Sequence, residues 1–259
     1  MILPASLLAA AAREVPEISL LHLAIAFVPV AILLAIQRRW SLGLGKSLLA
    51  TARMTLQLLA VGYMLMFILD ARTPWIVLAA LSGMIVAAGW IAMRSVGADV
   101  DRRRFGHAVM AIAAAGVPTL TLVTQAVLQV DPWFAPREWI TLGSMIFANS
   151  MNVVSLAGER FLSERSAGRD YETARRTAMN ASLIPLTNSM LAVGIVSLPG
   201  MMTGQVLAGN SPLSAARYQI MVMAMLFGAG GIASAIYLTL QRPAAAPGGL
   251  TTEDAEGAR

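Results

Sequence analysis

The sequence predicts an all-α polytopic membrane protein of about seven transmembrane helices, with the N-terminus outside and the C-terminus cytoplasmic. Three observations predict it. Seven stretches are long and apolar enough to form the roughly 20-residue helix that crosses a hydrocarbon core about 30 Å thick. Six of the seven hold no charged residue. The basic residues gather in alternate loops, on one side of the membrane.

The spans are Leu20–Ile36, Ser47–Leu69, Trp75–Met93, His107–Val130, Trp139–Ala157, Ala181–Leu198 and Tyr218–Leu240. They make up one transmembrane domain over residues 20–242. Residues 1–19 precede it as an interfacial segment. Ile2–Ala12 is apolar and ends in an alanine run, but it lacks the basic start of a signal peptide and is too short to span. Residues 243–259 form an Ala/Pro/Gly-rich tail with an acidic patch, a composition of cytoplasmic disorder.

Thirteen basic residues fall on one side: Arg38, Arg39, Lys46, Arg94, Arg102, Arg103, Arg104, Arg160, Arg165, Arg169, Arg175, Arg176 and Arg242. Only Arg13, Arg72, Arg137 and Arg217 fall on the other. The excess marks the cytoplasm. A sequence pI of about 10.4 therefore reflects membrane topology, and nucleic acid is not an expected partner. The chain is 57% hydrophobic and 13% charged, which leaves little soluble mass. Its inner-membrane partner is the lipid bilayer.

Cysteine is absent, which excludes disulfides, zinc knuckles and thiol chemistry. The 16 methionines are soft potential ligands and also common fillers of irregular packing. Gly43-Leu-Gly45-Lys46-Ser47 imitates the end of a phosphate loop, but Trp40 stands where that loop needs another glycine and no strand precedes it. No His-Glu-x-x-His, Gly-x-Ser-x-Gly or carboxylate pair is present. An enzyme is therefore not expected, and neither is a cofactor or a preformed metal site of the chain's own.

Several polar residues sit badly in lipid. Arg53 lies inside the second span, where an arginine costs roughly 2.5–3.5 kcal/mol. It either snorkels to the interface or pairs inside the bundle, with Gln57 one turn on over the same face. In the fifth span Met145, Asn149, Asn152, Ser155 and Glu159 share about a third of the helix circumference. The sixth adds Asn180, Thr187 and Asn188, with Pro185 as a kink. Interhelical hydrogen bonding and pathway lining both account for these amides. The candidate substrate pathway comprises Arg53, Gln57, Asn149, Asn152, Ser155 and Asn188. Pro199 and Gly200 break the chain, Gly200 and Gly204 have close-packing spacing, and Met201 and Met202 sit at the break. These five residues are a candidate outer gate, in a loop that dips into the outer leaflet or caps the bundle. Glu159–Arg176 has mixed charge with Ala interleaved and is divided by Gly168, and suits a helix lying at the cytoplasmic surface.

The segments Gly194-Ile-Val-Ser-Leu-Pro-Gly-Met-Met-Thr-Gly204, Ala208-Gly209, Pro212 and Tyr218-Gln-Ile-Met-Val222 closely resemble the FetB-type permeases of ABC transporters. Arg53-Met-Thr-Leu-Gln57-Leu through Gly62-Tyr63, and Gly143-Ser-Met-Ile with Asn149, are similar to further helices of that family. The resemblance covers residues 20–240. It implies a membrane permease that exports iron or another metal, powered by a separate FetA-like cytoplasmic ATPase that uses the ATP. It also makes Glu159, Glu164, Arg165, Gly168, Arg169 and Arg175 candidates for coupling to that ATPase. Seven spans are few for a whole pathway, so a homodimer is expected. The alternative is a secondary transporter or channel without an ATPase, which the lack of any carboxylate inside a span disfavours. A retinal protein would need a lysine within a helix, and Lys46 lies in or beside a cytoplasmic loop.

Overall fold

A computed structural model describes residues 18–70, 73–96 and 101–242. The expected interfacial segment, apart from Ile18 and Ser19, and the expected disordered tail lie outside the described residues. The described chain is helical: α1 (Leu20–Ile25), α2 (Val28–Arg39), α3 (Leu44–Leu69), α4 (Pro74–Val96), α5 (Arg102–Thr121), α6 (Pro136–Ser166), α7 (Tyr171–Ala192), α8 (Gly200–Leu207) and α9 (Pro212–Leu240). A π-helical turn, Leu122–Val127, extends α5.

Six helical stretches among the described residues are long and apolar enough to cross a membrane: Leu20–Arg39, Leu44–Leu69, Pro74–Arg94, Arg102–Val127, Pro136–Ser166 and Pro212–Leu240. Two expected spans take a different form. The first is broken at Ala26 and Phe27 into α1 and α2, because Pro29 enters the first turn of α2 and has no N–H to continue the helix. Of the expected span Ala181–Leu198, only Ala181–Ala192 is helical, about 18 Å at 1.5 Å per residue. The chain then turns through Gly194 at φ +80. The Gly194 N–H donates to the Ser197 carbonyl at 2.9 Å, and a bridge joins Val193 to Ser197.

The chain divides into two compact units. One holds residues up to Leu78 with Leu198–Gln219. In it α1, α2 and α8 have no buried residue and α3 has only Ile68. Leu56, Leu58, Leu59, Met66 and Phe67 of α3 are all more than 60% exposed. In water such a surface would aggregate. Lipid is the solvent that it fits.

The second unit holds Ala79–Ser197 and the chain from Ile220, and it carries the tighter core. Helix α5 buries Ala108, Ala111, Ile112 and Ala115, and α9 buries Val222, Met225, Ala229 and Ala233. These are i, i+3, i+4 stripes of mostly small side chains. Lipid tails are as apolar as leucine, so helices in a membrane gain by van der Waals closeness, and small residues allow it. A Cβ added at Gly89 of α4 would lie 2.5 Å from Val109 Cγ2 and 3.1 Å from its main-chain nitrogen. That pair fixes the α4–α5 spacing. One turn along α4, the buried Tyr237 hydroxyl donates to Met93 Sδ at 3.5 Å.

Candidate functional site

Asn149 is half-buried on α6, and its Nδ2 donates to the Leu226 carbonyl of α9 at 2.8 Å. The geometry depends on Gly230, one turn further along α9. A Cβ there would stand 2.7 Å from Asn149 Nδ2, 3.2 Å from Val153 and 3.3 Å from Leu186. Glycine thus lets α6, α7 and α9 converge and gives the amide access to a main-chain oxygen. Beside this bond is a cavity of about 50 Å³, with Asn149, Ser189, Met190, Met223 and Leu226 in its wall. It presents an amide, a hydroxyl and two thioethers, all neutral.

The remaining expected pathway residues are dispersed. Ser155 is half-buried, while Asn152 and Glu159 on α6 and Asn188 on α7 are exposed. The α6 polar stripe runs along the edge of the buried face, which is formed by Ile146, Phe147, Ser150, Val153, Val154 and Ala157. In the other unit Arg53 and Gln57 are exposed on α3. The outer-gate segment forms helix α8 directly after Pro199, with Met201 and Met202 half-buried and Gly200 and Gly204 exposed.

Sequence reasoning passed over three buried hydroxyls. Ser182 of α7 and Ser234 of α9 share a buried hydrogen bond at 3.0 Å. Ser150 Oγ is buried with no partner. Serine is common enough in membrane helices that nothing in its spacing marked these three.

The surface helix expected over Glu159–Arg176 is instead a hairpin. Helix α6 runs on to Ser166 and α7 starts afresh at Tyr171. Gly168 is the cause, at φ +80. Its N–H donates to the Arg165 carbonyl and the Arg169 N–H donates to the Glu164 carbonyl, both at 3.1 Å. These two bonds form the Schellman stop, which favours a left-handed glycine. Arg165 Nη1 donates to the Arg169 carbonyl at 2.8 Å and closes the turn. Asp170 then caps α7, accepting from the Thr173 N–H and hydroxyl, each at 2.8 Å. Arg160 pairs with Glu164 at 2.6 Å and Arg175 with Glu172 at 2.7 Å. The Arg175 guanidinium also lies over the Tyr171 ring.

The bonds from Thr173 hold the Asp170 carboxyl below the usual carboxylate range. A depressed carboxylate pKa stabilises the folded state above its unfolded value, and the contribution is lost as pH falls through the folded one. Asp170→Ala is therefore expected to speed hydrogen exchange over Tyr171–Ala174 at neutral pH. The difference from the parent should shrink in acid. Equal exchange at neutral pH would show that the cap holds nothing.

Among the described residues no three His, Cys, Asp or Glu side chains gather where they could hold a metal.

No solved structure matches the chain. The chain is 36% identical to UPF0014 membrane protein slr1647 of Synechocystis sp. over 70% of its length and 76% of that protein. It is 31% identical to the Probable iron export permease protein FetB of Escherichia coli over 85% of its length and 90% of that protein. It is likewise 31% identical to Protein ALUMINUM SENSITIVE 3 of Arabidopsis thaliana, over 82% and 81% of the two chains. The profile of the group described as Uncharacterised protein family (UPF0014) matches residues 20–244. That match takes in every described helix, so this multi-pass membrane chain belongs to the UPF0014 family.

Proposed function

We propose that the chain is the membrane permease of an ATP-driven exporter in the inner membrane, moving a metal ion or metal complex. Two copies form the pathway, and a separate cytoplasmic ABC-type ATPase binds and hydrolyses the ATP. The N-terminus is outside and the C-terminus inside on the bias of the arginines, an orientation in which α7 (Tyr171–Ala192) crosses as a seventh helix beside the six longer spans. What carries the reading is the likeness to a relative named as a probable iron export permease, sustained over 90% of that relative. The hairpin supports it. A stiff, doubly capped turn continuing α6 and α7 transmits a push on its tip to the helices that hold Asn149 and the cavity. A neutral donor set also suits cargo that must leave as readily as it enters. Tight carboxylate clusters would retain it.

The test is transport in vesicles with and without the cognate ATPase, across a panel of metals. Export should require both the ATPase and ATP. Arg165→Glu with Arg169→Glu should lower permease-stimulated ATP hydrolysis about tenfold, equivalent to about 1.4 kcal/mol of docking energy. Undiminished stimulation would remove the hairpin from the docking surface. Export driven by a proton gradient alone would overturn the proposal.

A further inference from the structure

The α7–α9 pair offers a groove that the transport reading does not use, and its place at the inner leaflet rests on the topology proposed above. The two helices are pinned at two levels. The Tyr171 hydroxyl donates to the Leu238 carbonyl at 3.0 Å, and Ser182 meets Ser234 at 3.0 Å. Between the pins lies an open groove of about 450 Å³. Its α7 wall is Arg175, Arg176, Met179 and Asn180, the i, i+1, i+4, i+5 face of one helix. Its α9 wall is Ala235, Leu238 and Thr239.

Two features define what fits. Most of the groove surface is apolar, supplied by Met179, Ala235, Leu238 and the arginine stems. At its rim are two guanidiniums of unequal standing. Arg175 is already paired with Glu172. Arg176 is exposed and makes no ion pair among the described residues. Asn180 is also exposed, and the Thr239 hydroxyl, which donates to the Ala235 carbonyl, keeps its lone pairs free. The groove lies at the last turn of the α9 span, so it sits at the membrane–water boundary. An anionic head group over an apolar chain is the complementary ligand, and basic pockets between helix ends at the cytoplasmic leaflet take such ligands.

We propose that this groove binds an anionic phospholipid of the inner leaflet. The phosphate pairs with Arg176 and, beyond its bond to Glu172, with Arg175. One acyl chain lies along Met179, Ala235 and Leu238. The lipid then bridges α7 and α9 at the level where protein contacts leave them apart.

The full-length protein is extracted from membranes and its retained lipid is measured by native mass spectrometry. It is also reconstituted in phosphatidylcholine vesicles with and without phosphatidylglycerol. The parent should retain phosphatidylglycerol or cardiolipin in preference to phosphatidylcholine. Arg176→Gln should reduce retention about fivefold, the weight of one arginine near an anionic surface. Ala235→Phe leaves both charges in place and fills the groove, and should reduce retention comparably. Arg217→Gln, on the opposite face of the topology, should leave it unchanged. Full retention by either groove variant overturns the proposal, as does equal loss in Arg217→Gln. Displacement of lipid by millimolar inorganic phosphate would mark a free-anion site and overturn it as well. So would a disulfide between copies formed through Arg176→Cys.

Discussion

Gly230→Ala is expected to lower the stability of the purified permease by about 1–3 kcal/mol, the usual cost of forcing a methyl into a packed core. The methyl would sit 2.7 Å from Asn149 Nδ2, closer than a carbon and a nitrogen can rest. Either α6 and α9 separate or the amide swings off the Leu226 carbonyl. The first forfeits dispersion contacts along Val153 and Leu186. The second leaves a polar group looking for a partner in an apolar medium. Both outcomes appear as a lower midpoint in thermal unfolding in detergent. A double-mutant cycle separates them. If the amide takes the strain, Asn149→Ala should recover part of the loss in the Gly230→Ala background, with a coupling of about 0.5–3 kcal/mol. If the helices part, the two losses add. An alanine at 230 with parental stability would mean that the crossing is looser than its distances indicate.

That crossing also marks how far the sequence could be read. Spans announce themselves because lipid demands apolar side chains along a whole helix, a signal that accumulates over some 20 residues. Asn149 was legible for the same reason in reverse, as an amide that lipid will not accept. Its partner was not legible, because the acceptor is a main-chain oxygen and any residue could have supplied it. Gly230 was invisible as one glycine among 21. Its importance is set by what stands opposite, on helices distant in sequence. The hairpin was half legible. Charge placed Glu159–Arg176 outside the membrane, and Gly168 was seen to divide it. Mixed charge, however, cannot distinguish one helix lying on the surface from two helices rising out of it. The Schellman bonds at Glu164 and Arg165 and the cap at Asp170 decide that. The end of α7 at Ala192 was missed because the apolar run continues through Ile195, Val196 and Leu198. Hydropathy reports the solvent, and there the left-handed glycine at 194 sets the backbone.

Asn149→Leu should separate a strut from a pathway group. Leucine keeps the branched shape of asparagine, and the cavity of about 50 Å³ beside the bond gives its larger methyls room among Leu186, Leu226 and Phe227. An interhelical hydrogen bond in a membrane is worth only about 0.6 kcal/mol on average, and the Leu226 carbonyl keeps its place in the α9 ladder. The unfolding midpoint should therefore move little, far less than for Gly230→Ala. Export should fall about tenfold or more, because removing one polar partner of a passing cation costs about 1–3 kcal/mol at that point of the path. Asn152→Leu, one turn along on the exposed edge, is the matched control and should change export much less. If export follows the small change in stability, and both leucines behave alike, Asn149 only ties α6 to α9 and the conduction path lies elsewhere. If export collapses at 149 alone while the fold holds, the cavity beside Ser189, Met190 and Met223 is where the cargo passes. The two thioethers then become the next residues to exchange for leucine, since only a soft or borderline cation would register their loss.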